Sequence, residues 1–213
     1  AQSIMQKFIK GSPEDGLCVM PLVIGLSATP QRFEALLSGT DSMVQKVAVP
    51  VNDVRESGLL KDRIIIHYPE IELGADMTMF RQSILNWQDK CSHWQRYCEK
   101  QGDRMVKPIL VVQVEDGNDR EITRTDLGAC MDIIQETLGR ALTDDEVVHT
   151  FHDQGVLTIR GINISPIEAS RIEENDQVNF VFFKMNLNTG WDCPRAETMM
   201  SFRTANDFTY IAQ

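Results

Sequence analysis

The chain has 213 residues, of which 42% are hydrophobic and 24% charged, a composition typical of a globular protein with one or two cores. Its formal charge of −10 at pH 7 argues against a basic coat for non-specific nucleic-acid binding. The five cysteines form no CxxC pair, which favours reduced thiols in a cytoplasmic protein. The sequence shows neither a signal-peptide pattern nor a run of about 18 uncharged apolar residues, so no membrane helix is predicted.

The first part of the chain predicts short, separate elements. Residues 3–9 favour a helix, and residues 22–26, 47–51 and 64–68 favour strands. The segment Ser27-Ala28-Thr29-Pro30 follows the first of these strands, and its proline disfavours helix at the preceding residue. Its two hydroxyls are then available to the backbone or to neighbouring segments, although a capped turn accounts for them equally well.

A long amphipathic helix is the clearest local prediction. Apolar residues recur at alternating steps of three and four, while charged and polar residues take the other faces. The stripe consists of Met77, Phe80, Ile84, Trp87, Cys91, Trp94 and Cys98. Its cysteines are interpreted as packing residues and not as zinc ligands, because the spacing fits no common ligand pattern. The pattern leaves open whether the helix packs on its own domain or binds a partner helix.

The second half of the chain predicts strands and helices in alternation, as in a parallel sheet. A buried strand over 108–114 precedes a helix that Thr125 is expected to cap and Gly139 to end. A strand over 147–151 and a small hairpin within 155–165 follow. Ser165 and Pro166 predict the start of a short helix through Arg171. A strand over 178–184, buried on both faces, is predicted next.

The stretch from Val178 to Gln213 predicts strand, polar loop and strand, the arrangement by which an α/β sheet presents chemistry at its edge. Within it, Thr189-Gly190-Trp191-Asp192 resembles motif V of superfamily-two helicases. The longer segment Gly190-Trp191-Asp192-Cys193-Pro194 resembles the restriction (helicase-like) subunit of type III restriction enzymes. Residues 22–30 resemble motif III, residues 108–114 stand where motif IV is expected, and residues 208–213 resemble the lead-in to motif VI.

This resemblance implies an α/β fold with RecA-like lobes, a parallel sheet flanked by helices. Residues 1–50 would be the end of the first lobe with motif III, and residues 51–104 the connection and long helix. Residues 105–213 would be the second lobe, cut at motif VI. Both ends of the sequence therefore suggest a fragment of a longer protein.

The resemblance also implies two sets of site residues. One set would couple the ATP site to nucleic-acid grip across the cleft, namely Ser27, Thr29, Asp192 and Gln213. The other would contact the nucleic-acid backbone, namely Thr189, Gly190 and Gln113. Many type III relatives have Glu where Thr189 stands, which puts that contact in question. For Trp191 and Cys193 the prediction is packing.

Parts of an ATPase site are absent from the sequence. The phosphate cradle GxxxxGK[ST] needs a Gly-Lys pair, and none occurs. The segment Asp145-Glu146-Val147-Val148-His149 has the wrong spacing for the metal-binding acid. The main ligands of ATP and Mg²⁺ are therefore expected outside this segment, which alone is predicted to be inactive.

The predicted function is that of an ATP-dependent DNA helicase or translocase in restriction-modification and phage defence. DNA is the expected partner, together with a modification (methyltransferase) or other defence subunit. One alternative is an ATPase of the same superfamily that acts on RNA or remodels a complex without cutting. The other is a non-enzymatic interaction module whose long helix binds a partner helix.

Overall fold

The computed structural model describes residues 4–26, 34, 37–39, 43–58, 63–67, 75–152, 154–187 and 191–203. The chain divides into two compact units, Ala1–Ile65 and Ile66–Gln213. In the first unit the structure contains helix α1 (Ile4–Lys10), a 3-10 turn (Pro13–Asp15) and helix α2 (Val51–Glu56).

The strands predicted for the first unit are not formed in its described part. Residues 22–26, 43–50 and 63–67 have no regular structure, and Leu26 is 95% exposed. A strand needs a neighbour that accepts and donates its backbone hydrogen bonds, and these segments have no such neighbour among the described residues. The prediction over 47–51 is wrong in a second respect, since Val51 begins α2. Tyr68 lies outside the described residues.

The second unit contains a six-stranded, mostly parallel sheet. Two helices precede or connect its strands, α3 (Ala75–Gln101) and α4 (Leu127–Leu138). The strands are β1 (Ile109–Gln113), β2 (Val147–His149), β3 (Leu157–Ile159), β4 (Ile162–Pro166), β5 (Phe180–Phe183) and β6 (Ala196–Ser201). Their spatial order is β3-β4-β2-β5-β1-β6, and only β3 runs antiparallel to its neighbour.

The central strands are buried on both faces, as predicted for β1 and β5. All residues of β1, β2 and β5 are buried, because successive side chains point to opposite faces and both faces are covered. Side chains of α3 and α4 cover one face, where Leu110, Val112, Phe180 and Phe182 lie. On the other face, Val111 and Val181 pack with residues of the connecting segments, including Ile167, Ile172, Leu187 and Trp191.

The predicted long helix is confirmed, and its stripe packs on its own unit. Phe80 and Ile84 are fully buried in the core beneath the sheet. The indole Nε1 of Trp87 donates to the carbonyl oxygen of Pro108 at 2.8 Å, and the indole of Trp94 donates to the Glu197 carboxylate. Burial raises the pKa of the Cys91 thiol to about 11, as expected for a packing residue. The surface that a partner helix would need is thus largely covered.

Helix α4 is confirmed, but Thr125 is not its N-cap. The carboxylate of Asp126 accepts from Ala129 N–H at 2.9 Å and caps the helix. The Thr125 hydroxyl instead accepts from Glu115 N–H at 3.1 Å, because it lies against the loop that follows β1. Gly139 ends the helix in the left-handed conformation, as predicted.

The predicted hairpin is confirmed, whereas the helix start at Pro166 is wrong. Strands β3 and β4 are joined by Arg160 and Gly161, both with positive φ, which is the two-residue turn that twisted hairpins favour. Pro166 is the last residue of β4, and only a 3-10 turn at Ala169–Arg171 follows. Proline fits there because β4 ends the parallel ladder at this point.

The architecture is therefore α/β, a mostly parallel six-stranded sheet flanked by helices. Within the part of the chain that is described, no helix combines the length and apolarity needed to cross a bilayer.

Candidate functional site

Four parallel strands end side by side and define a carboxyl edge, formed by residues 113–116, 149–151, 184–186 and 201–203. Gln113, the last residue of β1, joins three of these strand ends. Its side-chain Nε2 donates to the Lys184 carbonyl oxygen, and its Oε1 accepts from the Ser201 hydroxyl, both at 2.9 Å. The Gln113 side chain is 5% exposed, so its amide holds β5 and β6 at fixed positions relative to β1.

A second polar link joins the ends of β2 and β5. The Thr150 hydroxyl donates to Asn186 Oδ1 at 2.7 Å, and Asn186 Nδ2 donates to the Thr150 carbonyl oxygen. Next to this pair, the Lys184 ammonium lies 5.6 Å from the centre of the Phe151 ring. The Lys184 ammonium and the amides of Gln113 and Asn186 therefore lie at or beside the end of β5, the strand that precedes the segment resembling motif V.

His149, at the end of β2, is fully buried and serves the structure. Its Nδ1 accepts from Phe151 N–H at 3.1 Å, so the proton resides on Nε2, which lies 2.9 Å from the Gly155 carbonyl oxygen. Burial lowers the pKa of the imidazole. Both ring nitrogens are occupied by backbone groups, which leaves neither available to a ligand.

A charged cavity of about 280 Å³ opens where β1 and β6 end. Two acidic and two basic side chains line it, namely Glu115, Asp116, Arg124 and Arg203. Arg203 and Asp116 form an ion pair at 2.8 Å, with side chains 26% and 58% exposed. The cavity therefore holds opposite charges within reach of solvent.

The opposite, amino edge of the sheet is organised by one arginine. Arg195 is 5% exposed and precedes β6 directly. Its guanidinium donates to five backbone carbonyl oxygens at 2.7–3.3 Å, belonging to Lys107, Ile172, Glu173, Asn175 and Val178. These carbonyls belong to segments that lead into β1 and β5, so the arginine sets where those strands start.

The described residues from Trp191 onward lead into this amino edge. Trp191 Nε1 donates to the Ala169 carbonyl oxygen at 2.9 Å, and the Cys193 thiol donates to Glu173 Oε2 at 3.0 Å. Burial and the hydrogen bond to Glu173 raise the pKa of Cys193 to about 12. Both residues pack as predicted. Asp192 between them is exposed.

Of the predicted site residues, only Gln113 and Asp192 lie in the described part of the chain, and these two lie at different edges of the sheet. Gln113 pairs in register with Ser201 at the carboxyl edge, while Asp192 precedes the start of β6 at Ala196. Strand β6 alone separates these edges by about 17 Å. The remaining predicted residues lie outside the described part of the chain, namely Ser27, Thr29, Thr189, Gly190 and Gln213.

Glu146, within the segment rejected as a metal-binding acid, holds the entry to β2. Its carboxylate accepts from the Arg140 guanidinium at 2.6 and 2.8 Å, from Thr143 N–H at 3.0 Å and from Asn179 Nδ2 at 2.8 Å. The hydrogen bonds from Arg140 lower the pKa of this carboxyl to about 2. Its acceptor capacity is therefore used inside the protein.

A second cavity, of about 530 Å³, lies beside β2 and β4 and is mainly acidic. Its charged lining consists of Asp144, Asp145, Arg171, Glu174 and Asp176. Asp144 accepts from the backbone and side-chain nitrogens of Asn163, both at 2.9 Å. This balance of charge disfavours a phosphate ligand.

Two features of the edges were missed from the sequence. Arg195 carried only one signal, its place directly after Pro194 and before an apolar run. The Arg203–Asp116 pair could have been found in principle, because each residue lies within two residues of the end of a predicted strand. Predicting this pair requires knowing that β1 and β6 are neighbours in the sheet, and no local sequence pattern indicates that.

Comparison with known proteins adds no relative: the chain matches no protein-family model, no curated protein and no solved structure. The function proposed below therefore depends on the motif resemblance, the parallel sheet and the polar carboxyl edge.

Proposed function

We propose that the chain is part of an ATP-dependent DNA helicase or translocase of superfamily two, similar to the type III restriction helicase subunit. The observation that carries this proposal is the adjacency of β5 and β1 in a parallel sheet. Strand β5 precedes the segment that resembles motif V, and β1 lies where motif IV is expected. Both strands end at the carboxyl edge. Ligands of open α/β sheets bind beyond the carboxyl ends of the strands.

The role proposed for this chain is contact with the nucleic-acid backbone. Lys184 supplies a cation at the end of β5, while the amides of Gln113 and Asn186 fix the neighbouring strand ends through hydrogen bonds within the protein. Groups of this kind bind phosphate oxygens and fix the register of a protein on nucleic acid without reading its sequence. The acidic net charge makes such local cations the main source of attraction.

ATP and Mg²⁺ would drive the movement, but the residues present do not form their site. The sequence has no Gly-Lys pair, and no three His, Cys, Asp or Glu side chains in the described ranges are placed to hold a metal ion. The phosphate cradle and the metal-binding acid would come from a first lobe. The cytoplasm is the compartment proposed, since the described cysteines are all free thiols.

The test is DNA-stimulated ATP hydrolysis by the complete protein, with Asp192→Ala as the site variant. Asp192 is exposed, so the substitution leaves the fold intact, and DNA-stimulated turnover is expected to fall at least about tenfold if the carboxylate couples the two ligands. Glu174→Ala removes another exposed carboxylate near the same edge and is expected to change nothing.

Unchanged turnover in Asp192→Ala would refute the assignment of Asp192 alone. Absence of DNA-stimulated ATP hydrolysis in the wild-type protein would refute the function. Comparing duplex DNA, single-stranded DNA and RNA as stimulants separates the DNA motor from the RNA-dependent alternative.

A further inference from the structure

The cavity at the ends of β1 and β6 contains two arginines in different states. Arg203 is paired with Asp116 at 2.8 Å. Arg124 lines the same cavity, is exposed and has no ion pair with any residue that the structure describes. Two guanidinium groups facing one cavity of about 280 Å³ can bind a phosphate group through several charge-assisted hydrogen bonds.

Asp116 is held in place by the loop that carries it. The Thr123 hydroxyl donates to the Glu115 carbonyl oxygen at 2.6 Å, and Asn118 N–H donates to the Glu121 carbonyl oxygen at 3.0 Å. The loop is closed so tightly that a Cβ atom on Gly117 would lie 2.0 Å from the latter oxygen. The carboxylate of Asp116 is therefore presented to Arg203 by a fixed backbone.

The ion pair is nevertheless weak enough to exchange. Its side chains are 26% and 58% exposed, and pairs of this exposure favour the closed arrangement by about fivefold at most. A phosphate that reaches both arginines gains contacts that the single carboxylate does not make. A phosphate that is also held by neighbouring contacts therefore competes successfully with the Asp116 carboxylate for Arg203.

We infer that Arg124 and Arg203 form a binding site for a backbone phosphate of nucleic acid, and that Asp116 occupies Arg203 until the phosphate displaces it. The inference rests on the proposed function and deepens it, because the site lies on the same carboxyl edge as Gln113 and Lys184. Asp116 acts there as an internal competitor for the phosphate.

The experiment measures binding of fluorescein-labelled oligo(dT) to the full chain by anisotropy between about 50 and 200 mM salt. Asp116→Asn is expected to tighten binding about fivefold at the lowest salt, because the carboxylate charge that competes with the phosphate at Arg203 is removed. Arg203→Gln and Arg124→Gln are each expected to weaken binding and to make the slope of log K against log salt shallower by about 0.7.

Two matched controls share the loop and its charges. Asp119→Asn removes an exposed carboxylate and Arg120→Gln an exposed guanidinium, neither of which has an ion pair among the described residues. Both are expected to change affinity less than about twofold. Thermal unfolding of each variant confirms that the fold is retained.

The outcomes separate the inference from the function. Wild-type affinity and salt slope in Arg124→Gln and Arg203→Gln, with DNA-stimulated ATP hydrolysis intact in the complete protein, would overturn the inference alone. Lack of oligo(dT) binding by both the wild type and Asp116→Asn would overturn the inference, and absence of DNA-stimulated ATP hydrolysis in the complete protein would overturn the proposed function as well. Inorganic pyrophosphate that binds as tightly as oligo(dT), with the same dependence on Asp116, would assign the site to a free phosphate compound instead.

Discussion

The two edges of the sheet satisfy their polar groups in different ways. At the amino edge, Arg195 and Glu146 are almost fully buried, and Arg195 donates only to backbone carbonyls. At the carboxyl edge, Gln113 and Ser201 bond to each other, and Arg203 and Asp116 form an exposed pair. Bonds to buried backbone fix the path of the chain, and the buried Gln113 does the same at the carboxyl edge, whereas the exposed Arg203–Asp116 pair can be exchanged for a ligand. The amino edge is therefore expected to contribute more to folding stability, and the carboxyl edge is the one proposed to bind.

The largest effect is expected at Arg195. Replacement by Met leaves five buried carbonyl oxygens without their donor, so the free energy of unfolding should fall by about 4 kcal/mol. Urea denaturation followed by tryptophan fluorescence measures it. The matched control is Arg171→Met, since that exposed guanidinium meets Glu168 only at 3.9 Å, and a change within about 0.5 kcal/mol is expected. Equal losses in the two variants would remove the distinction between the edges.

The second effect is a dependence of stability on pH through Glu146. Its pKa in the folded protein is about 2, below the ordinary 4.5, so its contribution is complete above about pH 4.5 and is lost as pH falls toward 2. The contribution amounts to about 2 to 3 kcal/mol. Urea denaturation at pH 7, 5 and 3 should show a steeper acid loss in the wild type than in Glu146→Gln. Parallel pH profiles would refute this role, and Glu174→Gln is the control.

The smallest effect concerns the helix that starts beside the carboxyl edge. Asp126→Ala removes the acceptor of Ala129 N–H and should lower the free energy of unfolding by about 1 kcal/mol. Because this cap is exposed, the loss should be smaller than at either amino-edge residue. A loss as large as that of Arg195→Met would show that the carboxyl edge also determines the fold.

The elements of the second unit were largely predictable because their signals are local. The stripe of α3 repeats every three or four residues, and β1 and β5 are uninterrupted apolar runs. The strands expected in the first unit were wrong because an apolar run becomes a strand only beside another strand. The choice of Thr125 as N-cap failed by one residue, since Thr and Asp are both good caps and the packing of the β1–α4 loop decided between them.

The candidate site was predictable only in part. The sequence indicated Gln113 and Asp192, but it placed them in one functional cleft, whereas the sheet puts them at opposite edges. The residues that dominate each edge, Arg195 and the Arg203–Asp116 pair, came from the structure. Their partners are distant in sequence, at separations of up to 88 residues.

By itself, the sequence determined the class of the second unit, its buried strands and its long helix, because hydrophobic periodicity reports burial directly. Only the tertiary structure decided which polar residues share an edge. Every connection between parallel strands leaves at the carboxyl edge and returns at the amino edge. Asp192 lies near the end of the connection from β5 to β6. It is therefore close to the amino edge, where β6 begins, and far from the carboxyl end of β5.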